Sequence, residues 1–141
     1  MVSFKFGPVE LYLVALEGDR PAPGVVDALV ELIEAGTVRL LDLVIVTRGE
    51  DGSLSVLEVE ADEFGFEGIE LHAPGLTGAD DADDLAELLE PGASAVVIAL
   101  ELLWAKRLAE QVAASGAEVL SVERIPAPVV NALVDALADE S

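Results

Sequence analysis

Residues 90–126 read EPGASAVVIALELLWAKRLAEQVAASGAEVLSVERIP, and no other stretch constrains the fold as much. A Pro-Gly turn opens it, and residues 95–100 continue as an apolar run of strand length. A helix-period segment follows and stops at Ser115-Gly116, and residues 118–123 form a second short run before Pro126. Strand, crossover helix and strand make one βαβ unit in about 35 residues. The N-terminal part repeats the order, with GPVELYLVALE, a helix, and EAGTVRLLDLVIV. Two tandem βαβ halves predict an α/β (α+β) fold, a ferredoxin-like sheet with helices mainly on one face. An open three-layer sandwich is the alternative, because helices at 80–90 and 126–139 also need a surface to pack on.

The other elements follow from spacing. Residues 9–16 read as a strand after Gly7-Pro8, and 18–24, rich in Pro and Gly, as a loop. Val26, Leu29, Val30 and Ile33 share one face of a helix over 25–34, with Asp27, Glu31 and Glu34 opposite. Gly36 takes the position after its last turn. Residues 39–48 contain LLDLVIV, the pattern of a strand buried on both faces. Glu50-Asp51-Gly52 turns the chain into a returning strand at 54–59. Residues 61–79 read as a loop crossing the surface, 80–90 as a short acidic helix, and 126–139 as a closing helix. The chain of 141 residues suits one domain: a first half over 1–60, an acidic connection over 61–91, and a second βαβ half with its C-terminal helix over 92–141.

Composition narrows the function. Apolar residues make up 52% and aromatics only 4%, so the core is aliphatic. A domain this small and this apolar has apolar surface left after folding, and another copy of itself is the usual cover. The net charge of −21, from 28 acids and 7 bases, disfavours nucleic acid and anionic membranes, since no basic patch is available to meet phosphate. It leaves a basic protein partner, a divalent cation, or simple solubility. There is no cysteine, hence no disulfide, thiolate chemistry or Cys-based metal site. The N-terminus lacks the pattern of a signal peptide, and no apolar run approaches the roughly 20 residues of a membrane span. The chain reads as cytoplasmic.

Reaction chemistry is sparse. His72 is the single histidine, without a nearby serine, cysteine or second ligand, and reads as an ordinary loop residue. No nucleophile elbow, P-loop or dinucleotide fingerprint occurs. The acids at 80–87 lack the alternation of a calcium loop and read as a solvated first turn. No catalytic residue, cofactor or metal ligand is assigned. Asp42 lies inside the buried-looking strand, where an unpaired carboxylate would be costly, and Arg39 or Arg124 is the expected relief. Glu10 and Glu101 pose the same question, and buried ion pairs that fix register or an interface answer it. Trp104, followed by Lys106 and Arg107, suits an interface anchor or packing within the monomer.

These segments resemble a family of short acidic uncharacterised bacterial proteins. The likeness rests on the Gly-Pro-Val-Glu strand at 7–10, Gly-Thr-Val-Arg-Leu-Leu-Asp at 36–42, Glu-Pro-Gly-x-Ser-Ala at 90–95, and Trp104-Ala105. More distantly, the turn and strand look like a larger uncharacterised family with members labelled stress or membrane proteins. That family carries a glycine-rich hydrophobic segment between its halves, whereas residues 61–79 here are polar and acidic. The resemblance implies a two-half, ferredoxin-like domain and no catalytic residues.

The expectation is a non-enzymatic, self-associating acidic domain with a structural or regulatory role. Its interface would use aliphatic helix faces and Trp104, with Arg39, Lys106, Arg107 and Arg124 meeting acids such as Asp42 and Glu101. The alternatives are a small-molecule or divalent-metal site using Asp42, Glu101 and His72, and an adaptor for a basic protein.

Overall fold

The computed structural model describes residues 4–16, 21–59, 66 and 68–139, with the side chains of 79–81 outside the described set. The loop expected over 18–24 lies partly outside the described residues, as do residues 61–65 and 67 of the loop expected over 61–79. The elements follow as β1 (Val9–Ala15), α1 (Pro23–Glu34), β2 (Val38–Arg48), β3 (Leu54–Glu58), α2 (Ala79–Ala86), β4 (Ser94–Leu102), α3 (Leu103–Ala114) and α4 (Ala127–Asp139). Proline at the start of α1 has its φ preset for the helix and lacks an N–H that would have no partner there anyway. Gly36, just past that helix, has φ 75°, a left-handed conformation that glycine adopts without strain.

One four-stranded antiparallel sheet has the order β1-β4-β2-β3. β1 reaches β2 across β4, and β3 reaches β4 across β2, so both crossovers skip one strand. This is the split βαβ pattern of a mixed α+β fold, with β2 and β4 in the centre. Their sequences explain the placement. LLDLVIV and AVVIAL are apolar on both sides of the pleat, and only central strands covered on both faces bury both sets.

Val96, Ile98 and Leu100 of β4 meet α1, whereas Ala95 and Val97 meet α2 through Ala82 and Ala86. Helices α1 and α3 thus share one side, as expected, and α2 takes the other. The connection after β3 causes this. Phe66, Ile69 and Leu71 pack on the α1 side, then the N–H groups of His72 and Ala73 donate to the carbonyls of Leu40 and Leu41 at 3.1 and 2.9 Å. The chain thereby rounds the edge of β2 beyond the end of β3 and delivers α2 to the opposite face. The surface loop expected over 61–79 is corrected in part: Phe66 is 1% exposed and belongs to the core.

The register slips between Leu40 and Asp42, a β-bulge that adds Leu41 to β2. Without the extra residue Asp42 would face α1 with Leu40 (period 2); with it, Asp42 faces the α2 side. A second correction concerns residues 118–123, expected as the closing strand. They form no ladder and lie exposed. The second crossover is made by α2, and α3 follows β4 with no connecting residue. Among the described residues, no helix is long and apolar enough to cross a membrane.

Candidate functional site

On the α1 side the sheet is not fully covered. Tyr12 and Val14 of β1 with Ile98 and Leu100 of β4 form the floor of an open groove. Val25, Leu29 and Leu32 of α1 make one wall, and Trp104, Leu108 and Val112 of α3 make the other. Those α3 residues recur every four positions, which places them on one helix face. The groove measures about 1020 Å³ and is lined mainly by carbon. Trp104 is 63% exposed on its wall, so it is available to an occupant and is not a monomer core residue.

Polar groups gather at one end. Arg124 reaches from the segment after α3 to Glu10, with Nη1 2.5 Å from Oε2. Its guanidinium also stands over the Tyr12 ring, 4.7 Å from the centroid. Partial burial raises the Tyr12 phenol, and the neighbouring Glu10 carboxylate adds to the rise. Val119 and Val122 line the groove beside this cluster. The contacts of one side of the segment with the groove thus stand where a backbone ladder was expected.

The other singled-out residues sit behind the sheet. Glu101 is fully buried; one of its oxygens accepts from Arg39 Nε at 2.7 Å and is ion-paired with Arg39 Nη2 at 2.5 Å. Its second oxygen accepts the Gly7 N–H at 2.6 Å. A Cβ on Gly7 would fall 2.7 Å from the Lys106 Cβ, so glycine is what lets this backbone come so close. The Arg39 guanidinium rests over Phe6, 5.3 Å from the ring centroid. Segments 7–10 and 36–42, on which the family resemblance rests, therefore meet at Glu101.

Asp42 corrects an expectation. Neither arginine relieves it; its two oxygens accept the N–H groups of Leu43 and Thr77, each at 3.0 Å. Arg39 serves Glu101 and Arg124 serves Glu10. Lys106 donates to the Lys5 carbonyl at 3.4 Å, and Arg107 makes no ion pair among the described residues. Asp42 and Glu101 share a sheet face but have separate partners, and no bond joins the His72 imidazole to either. No group of three potential metal-ligating side chains occurs among the described residues.

Glu58 of β3 lies beside Asp42, a neighbour that sequence reasoning missed because cross-strand register decides it. Partial burial pushes its carboxyl up to about 7, helped by a hydrogen bond to Asp42 and by that charge, and opposed by the Gly75 N–H. A carboxyl raised above its ordinary 4.5 binds its proton more tightly folded than unfolded. Its stabilising contribution is therefore full below about pH 4.5 and is lost as pH rises to about 7. Glu58→Gln should raise Tm above neutral pH by on the order of 2–4 °C, roughly 1 kcal/mol for a group that water still screens. Below pH 4.5 the gain should vanish. Equal gains across a pH series of thermal melts would contradict the coupling.

Fold and groove together define a mixed α+β domain with a four-stranded antiparallel sheet and an apolar cleft between two helices. The chain belongs to a family of unknown function, DUF6325, whose family model matches residues 5–141. Comparison with curated proteins and with solved structures gives no match.

Proposed function

We propose that this protein is a non-enzymatic domain that works by associating with copies of itself. One observation carries the reading. Among the described residues, 20 large apolar side chains are exposed, and nine of them fall between Val119 and Leu137. A surplus spread singly over a surface needs no explanation; one concentrated in a single segment marks an interface. Helix α4 presents Val129, Val130, Leu133, Val134 and Leu137, each 40–67% exposed. Burying what remains of each supplies about 1 kcal/mol per residue.

The interface is held by apolar contact more than by ion pairs. Arg39 and Arg124 already have partners within the chain, which leaves Lys106 and Arg107, neither of them in an ion pair among the described residues. Two copies of net charge −21 repel each other, and salt weakens that repulsion. Native mass by light scattering should show a defined oligomer whose share grows from low to high ionic strength. A monomer at both would end the self-association reading. An assembly that dissolves in salt would instead favour charge-driven contacts, such as those of a basic protein partner.

A further inference from the structure

Helices α1 and α3, the walls of the groove, have 12 residues each, and α4 has 13. At 1.5 Å per residue these are lengths of about 18 and about 20 Å. All of α4 is exposed, and its large apolar residues fall at i, i+1, i+4, i+5 and i+8, a single stripe, while Asn131, Asp135 and Asp139 occupy the opposite side. The stripe has no charge, and charge enters the groove only at its end, where Arg124 and Glu10 neutralise each other beside Glu123. Its volume of about 1020 Å³ stands at the top of the roughly 300–1,000 Å³ typical of small-molecule pockets. A helix laid between two helices over a sheet suits both its length and its lining.

Within one chain the two surfaces stay apart. Arg124 is fastened to Glu10 and Tyr12 on β1, and α4 starts three residues later, just beyond Pro126. The proline ring fixes φ at that exit, and the stripe remains exposed while the groove of the same chain stays open. We propose that α4 of one copy lies in the α1/α3 groove of a second copy, and that the second returns its own α4, closing a two-fold dimer. The inference rests on the self-association reading and names its surfaces. Reciprocal exchange uses the same two patches on both copies, so the assembly closes and leaves no further groove to propagate. Trp104, Leu32 and Leu108, the exposed apolar residues of the walls, are covered in the same step.

The chain has no cysteine, so any disulfide reports only on introduced residues. Leu133→Cys in one full-length copy and Leu108→Cys in another place a thiol on the stripe and on a wall, both at exposed positions. A bond forms only where the Cα atoms come within about 7 Å. Mixed under mild oxidation, the unlike copies should give a covalent dimer in severalfold higher yield than either copy alone. Leu32→Cys repeats the test on the other wall. A bond inside one chain of the Leu108→Cys/Leu133→Cys variant, at monomer mass, would place α4 in its own groove and overturn the exchange. Absence of any bond while the native mass stays dimeric would overturn the placement and leave self-association standing. Full-length Leu133→Asp/Leu137→Asp gives the second reading: a folded monomer is expected, and an unchanged dimer refutes the exchange. A monomeric parent protein would remove both the placement and the reading beneath it.

Discussion

Replacing Arg39 with alanine is expected to lower the unfolding free energy by about 3–5 kcal/mol, toward the lower end because the arginine is partly exposed. The cost arises on the partner. Glu101 is buried completely, and that guanidinium supplies its ion pair and one of its two hydrogen bonds among the described residues. Alanine would leave a carboxylate in the interior with a single peptide N–H from Gly7. In a domain of this size such a loss corresponds to a fall in Tm on the order of 10 °C. The double replacement Arg39→Met/Glu101→Leu should recover most of the stability, since an apolar pair needs neither charge nor donor. Urea unfolding of the two variants decides the matter. A loss below about 1 kcal/mol for Arg39→Ala would mean that water reaches Glu101 after all.

The second large effect is expected at Phe66. Although it comes from an acidic, glycine-bearing connection, its ring is buried among residues of β2, β4 and α1. Phe66→Ala should cost about 3–5 kcal/mol, from lost transfer energy and the cavity left behind. The same segment guides the chain around the sheet edge, so the variant should also loosen α2. Faster hydrogen exchange at the Leu85–Glu87 amides than in the rest of the sheet would show this. A loss typical of a surface position, within about 0.5 kcal/mol, would contradict the burial of the ring.

The contrast between these two sites shows what spacing discloses. LLDLVIV announces a strand buried on both faces and AVVIAL an apolar run of strand length, and both take the centre of the sheet. α1 and α3 also begin and end close to where periodicity and glycine place them. Residues 118–123 are a short run of strand length, yet they pair with nothing, because such a run states what a segment can bury and says nothing of a neighbour to receive it. Phe66 is hidden for the opposite reason: Phe64, Phe66, Ile69 and Leu71, spread among acids and glycines, keep no constant period. For the site, Trp104 is legible as the sole tryptophan on an amphipathic helix. The groove around it requires β1, α1 and α3 to meet, which local pattern does not encode. Asp42 is recognisable as a buried acid, but its partners, Thr77 and Glu58, depend on a one-residue bulge and on strand register.

The direct passage from β4 into α3 also limits how this chain can vary in length. Leu102 ends the strand and Leu103 opens the helix, so no residue between them can absorb an insertion or a deletion. One added residue would turn the whole helix by about 100° about its axis. Trp104, Leu108 and Val112 would swing out of the groove wall together, while Glu101, on the strand side, would keep its place beside Arg39. Stability and the cleft would then come apart at a single peptide bond. Length variation has freer ground between α3 and α4, where exposed residues link two finished helices.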